Sequence, residues 1–138
     1  MSEEIEIARQ WLAKARNDIL NADNNLNSEL VPFDTVCFHC QQAAEKMLKS
    51  YLVGNGKEYP ITHDLLLILE KILPLNRAAE ELRDSLATLM PYSVEIRYPD
   101  DWYMPTKNDA TEARDAADRV MQWLKNALPD VFQNQRSD

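Results

Sequence analysis

Residues 33–56, FDTVCFHCQQAAEKMLKSYLVGNG, decide the fold. Val36, Cys37, Cys40, Ala43, Ala44, Met47, Leu48, Tyr51 and Leu52 recur at gaps of three and four, the period of a helix with one buried face. Thr35, His39, Gln42, Lys46, Lys49 and Ser50 fall on the opposite side. Pro32 cannot continue a helix backward, and Asp34 is placed to cap the free N–H groups. Gly54-Asn55-Gly56 supplies a stop, because Gly and Asn tolerate the left-handed conformation. The cluster His39-Cys40-Gln41-Gln42-Ala43-Ala44-Glu45-Lys46 is unusually polar for so central a helix.

Working outward, Glu3–Asn27 reads as a helix with Ala8, Trp11, Leu12, Ala15, Ile19, Ala22 and Leu26 inward and Ser2 as cap. After Pro60, Thr62 is expected to cap a short helix from Leu65 to about Pro74, apolar on most sides and so deeply buried. A fourth helix is predicted over about Asn76–Met90. The last starts near Asp109, with Thr106 and Asp109 as a capping box, and ends at Pro129. Its Arg114–Asp118 and Asp115–Arg119 spacings suggest i,i+4 pairs on an exposed face. Residues 92–105, YSVEIRYPDDWYMP, are the stretch without helical pattern, expected as a helix end followed by an ordered loop.

The chain has 138 residues, two glycines, seven prolines and a net charge of −8. That length suits one domain, with a core over about 3–128 and a tail at 129–138. Few glycines argue for long helices. They also exclude a phosphate-cradling glycine loop. The negative charge opposes bulk, sequence-independent nucleic-acid binding but leaves room for a local basic site. Cys37 and Cys40 lie on the apolar stripe without further metal ligands nearby, so they are expected as buried thiols of a cytoplasmic protein. No apolar run reaches membrane-spanning length, and the acidic start does not resemble a signal peptide.

Three side chains stand out chemically. Arg97, between Ile96 and Tyr98-Pro99, can grip a phosphate with two parallel hydrogen bonds, or pair with Asp100, Asp101 or Glu45. His63 stands at the start of the third helix, a position open to anion binding or proton transfer, or to a structural hydrogen bond. His39 shares its helix side with Gln42 and Lys46, a groove wall or a solvated face. Two histidines without a carboxylate at fixed spacing predict no metal site and no cofactor.

Taken together, CFHCQQAAEKMLKSYLV at 37–53, ITHDLLLIL at 61–69 and IRYPDDW at 96–102, behind a first helix with Trp11 and Ala15, resemble the HEPN domain. The resemblance covers almost the whole chain in order. It implies an all-α, up-and-down bundle of four to five helices, similar to the helical domain of aminoglycoside nucleotidyltransferases, and commonly a homodimer. It also implies a role beside a minimal nucleotidyltransferase in a toxin–antitoxin pair, with nucleotide or RNA as ligand. Active members are metal-independent RNases with an Arg, four to six residues and a His. Here the Arg is Arg97, and the three permitted His positions hold Trp102, Tyr103 and Met104. In some toxin members the partner modifies a tyrosine two residues after that His. At the shortest spacing that position is Met104. The expected role is therefore phosphate binding by Arg97 and Tyr98, with Gln41, Gln42, Glu45 and Lys46 lining the groove. The alternatives are an RNase that uses His63 or His39 instead, and a non-catalytic module that docks a basic protein partner on its acidic surface.

Overall fold

The computed structural model describes residues 2–93 and 104–133. Five α-helices make up the bundle: α1 (Glu3–Leu26), α2 (Phe33–Gly54), α3 (Leu65–Ile72), α4 (Arg83–Leu89) and α5 (Lys107–Ala127). Short 3₁₀ turns stand at Arg77–Leu82, Met90–Tyr92 and Pro129–Phe132. There is no strand among the described residues, so the all-α bundle expected from the periodicity is what forms. No helix of the described residues is long and apolar enough to cross a membrane.

α2 is the axis. It packs along α1 and α5 and touches α3 and α4. Its apolar stripe is buried from Val36 to Leu52, including both cysteines, which are free thiols. Burial first, and for Cys37 also the charge of Asp109, pushes both thiols up to about 12, so they stay protonated and unreactive in the folded protein. The opposite side of α2 is less open than its polarity suggests. Ser50 is fully buried and donates to the Ala8 carbonyl at 2.8 Å, and Lys49 is also buried. A helix covered on both flanks has little solvated face left.

The ends obey local chemistry, with corrections. Ser2 Oγ accepts from the Ile5 N–H, as expected of an N-cap. Asp34 Oδ1 accepts from the Thr35 N–H at 2.9 Å, so it satisfies one of the free N–H groups of α2 although it is not at the N-cap position. It lies inside the first turn, where its charge suits the helix start, and Pro32 takes the cap position. Asn55 Nδ2 donates to the Tyr51 carbonyl, and Gly56 turns the chain away at φ 73°. Asp64, not Thr62, caps α3, accepting from the Leu66 and Leu67 N–H groups. Thr62 Oγ1 accepts from the Asp64 N–H instead, one step outside the helix. α3 is not buried all round, because Leu67 is exposed. The predicted fourth helix divides into the tighter Arg77–Leu82 turn and then α4, with Asn76 capping the turn. Thr106 and Asp109 form the capping box, so α5 begins at Lys107.

Arg114 is not on a simple exposed face. It reaches across to Asp23 of α1 with two hydrogen bonds, at 2.7 and 3.2 Å, while Asp118 stays at 3.9 Å. The Asp23 carboxylate is also the first cause of the raised Arg114 pKa. Arg119 likewise points to the α4 residue Ser85.

Candidate functional site

Two carboxylates organise the polar side of α2. Asp18, on α1, is buried and holds His39 Nδ1 at 2.8 Å and Lys46 Nζ at 2.6 Å. Glu45, on α2, is 4% exposed and holds His63 Nδ1 at 2.9 Å and Lys49 Nζ at 2.8 Å. Each carboxylate thus bridges one histidine and one lysine. A buried carboxylate has to be matched in this way, because desolvation penalises an unpaired charge.

The Glu45 cluster reaches further. Fully buried Gln41 donates to the His63 carbonyl at 3.2 Å and more weakly to Glu45 at 3.4 Å. Gln42 Nε2 donates to Gln41 Oε1 at 2.6 Å. The Lys49 ammonium also lies 5.6 Å from the Trp11 ring centre and 5.2 Å from that of Tyr59. These contacts tie the chain between α2 and α3 onto α2. They leave the His63 side chain 68% exposed with its Nδ1 against a carboxylate. In the neutral ring this arrangement puts the proton on Nδ1 and the lone pair on Nε2, the state of a proton acceptor.

Of the residues singled out from the sequence, His39, Gln42, Lys46, Glu45 and His63 all belong to these clusters. Gln42 and Lys46 are half-buried, whereas Gln41 and Glu45 are turned inward and meet the surface through their partners. Arg97 and Tyr98 lie outside the described residues, as do Ile96, Asp100, Asp101, Trp102 and Tyr103. Both described flanks of that segment come to the start of α2. Tyr92 hydrogen-bonds the Cys37 thiol, and Asp109 is near enough for its charge to raise the Cys37 pKa. Asp18 is the residue that sequence reasoning missed. Its signal is a carboxylate beside Ile19 on a helix side that otherwise packs. Among the described residues, no group of three or more His, Cys, Asp or Glu side chains is arranged to hold a metal ion.

Three comparisons bear on identity. The chain matches no curated protein. It is similar to the crystal structure of TT1696 from Thermus thermophilus, at TM-score 0.77 and 29% identity, over 88% of this chain and 98% of that one. The family model described as HEPN domain matches residues 8–127, from the first turns of α1 to the end of α5. With α2 to α5, most of α1 and the polar cluster of α2 inside that match, the chain belongs to the HEPN-domain family.

Proposed function

We propose that this HEPN protein binds the phosphate of a nucleotide or RNA through Arg97, without metal. In this reading Tyr98, Gln42 and Lys46 assist it, and the protein acts as one component of a pair with a minimal nucleotidyltransferase. The observation that carries the reading is the convergence of Tyr92 and Asp109 on Cys37. Tyr92 before the Arg97 segment and Asp109 after it both lie near the start of α2, with Gln42 about one and a half turns and Lys46 about two and a half turns further along the helix. A guanidinium delivers two parallel hydrogen bonds to a phosphate and stays charged at any working pH. Gln42 and Lys46 add a neutral and a cationic donor. Glu45 enters this site indirectly, by holding His63 and Lys49 in place.

The test is a titration of purified protein with a labelled nucleotide and a short RNA. Arg97→Ala is expected to weaken binding roughly tenfold or more, the scale of a lost charge-assisted hydrogen bond of about 1.5–3 kcal/mol. Equal affinity, or no binding by the wild type, removes Arg97 from the role.

A second reading, metal-independent RNA cleavage, is favoured by the His63–Glu45 contact. The histidine that the family motif requires is absent, whereas His63 offers an exposed ring oriented by a carboxylate, able to take a 2′-hydroxyl proton. RNA incubated with the protein in EDTA should then be cut by the wild type and spared by His63→Ala and by Arg97→Ala. An inert wild type rules this reading out.

A further inference from the structure

The chain between α2 and α3 is fastened at both ends. The Lys57 backbone N–H donates to the Leu52 carbonyl at 2.9 Å, and Gln41 donates to the His63 carbonyl at 3.2 Å. Between these points, Pro60 restricts Tyr59 to an extended backbone. The Tyr59 ring meets Trp11 of α1 edge to face, with centres 5.2 Å apart and planes at 79°. The two rings form one corner of a cavity of about 470 Å³, and Ile7, Val53 and Ile61 complete its apolar wall. A cavity walled by a segment fastened in this way is preformed, and its size is that of a small-ligand site.

The corner and the rim together define what an occupant must carry. The buried Lys49 ammonium lies 5.6 Å from the Trp11 ring centre and 5.2 Å from that of Tyr59, and it is paired with Glu45. Lys49 does not line the cavity, so the rings' affinity for positive charge is already used from the inner side. The corner therefore suits a neutral flat ring, with one face to stack on and one edge to abut, better than a second cation. Lys57 and Glu58 are the charged residues lining the cavity. Both are exposed, and neither side chain has a hydrogen bond or ion pair among the described residues. They are neighbours in the chain, with Cα atoms about 3.8 Å apart. A free cation and a free anion set so close match a carboxylate and an ammonium carried on a single carbon.

We propose that this cavity binds a free aromatic α-amino acid, with its ring in the Trp11–Tyr59 corner, its carboxylate at Lys57 and its ammonium at Glu58. An aliphatic amino acid fills the apolar wall without using the ring corner. The same aromatic side chain within a peptide brings neither charge, and leaves Lys57 and Glu58 in water. A nucleotide sets its phosphate charge against Glu58. The site shares no residue with the phosphate reading above, so either can fail alone.

The experiment follows backbone amide NMR shifts of the full chain during titration with six probes. These are L-tryptophan, indole-3-propionate, tryptamine, L-leucine, N-acetyl-tryptophanamide and AMP. Tryptophan is expected to saturate with a Kd of roughly 1 mM or tighter. Each of the others should bind at least about threefold more weakly, the scale of one exposed charge contact or one aromatic contact. Lys57→Gln should weaken tryptophan and indole-3-propionate about threefold and leave tryptamine unchanged. Glu58→Gln should weaken tryptophan and tryptamine about threefold and leave indole-3-propionate unchanged. Both side chains are exposed and unpaired among the described residues, so neither change disturbs the fold. Tryptophan that does not bind, or binds no better than leucine or N-acetyl-tryptophanamide, overturns the proposal. So does AMP binding more tightly than tryptophan, or tryptophan binding that neither variant alters.

Discussion

Glu45→Ala is expected to cost about 3–5 kcal/mol of folding stability, the range for breaking one partner out of a buried ion pair. Lys49 is buried, with its ammonium between Glu45 and the Trp11 and Tyr59 rings. Removing the carboxylate leaves that charge with only ring faces as partners, and those replace a fraction of the loss. Gln41 also loses its weaker acceptor. Urea denaturation followed by circular dichroism measures the change. The double variant Glu45→Gln/Lys49→Met should recover most of it, because removing both members leaves no orphan charge. His63→Ala should cost under about 1 kcal/mol, since that side chain is largely in water. A loss below about 1 kcal/mol for Glu45→Ala would falsify the assignment of Glu45 as the buried hub.

The second large effect separates neighbouring leucines of α3. Leu69 is fully buried, while Leu67 is 44% exposed. Leu69→Ala should destabilise by about 2–5 kcal/mol through lost burial and the cavity left behind. Leu67→Ala, the same chemical change on the water side, should stay within about 0.5 kcal/mol. Equal losses at the two positions in a denaturant series would mean that α3 presents a different face to the core.

α3 also marks where the sequence stops being legible. Its first five residues are all apolar and its polar residues are only the adjacent Glu70 and Lys71, too few for periodicity to read a face. α2 and α5 have long alternations, and their extents, the inward cysteines and the Thr106–Asp109 box could be read directly. The capping of α3 was half legible. Thr62 and Asp64 are both competent caps, and which one closes the helix depends on where the chain arrives after His63 is held by Glu45. The polar side of α2 was legible as a composition but not as an arrangement. Lys46 and Lys49 look alike in the sequence. One takes a carboxylate from α1, 28 residues away, and the other takes one from its own helix under two rings. Partners brought in by tertiary packing leave no local period. Nor could Arg114 be assigned to Asp23 over Asp118, since helical spacing favours the nearer carboxylate and packing supplied the better one.

The α1–α2 seam has a further consequence, for how the two helices find their alignment. Ile5, Leu12 and Ile19 recur every seventh residue, and so do Ala8, Ala15 and Ala22. An apolar seam with that repeat matches itself after a slide of seven residues, about 10 Å. Such a slide would carry Trp11 into the place of Asp18, seven residues on. An indole would then stand between His39 and Lys46, and a carboxylate would lose the partners it has now. Shape alone leaves the offset helices nearly as well packed. The exchange of Trp11 for Asp18 makes the slipped pairing costly, so two side chains act as the vernier that sets this helical hairpin in one alignment.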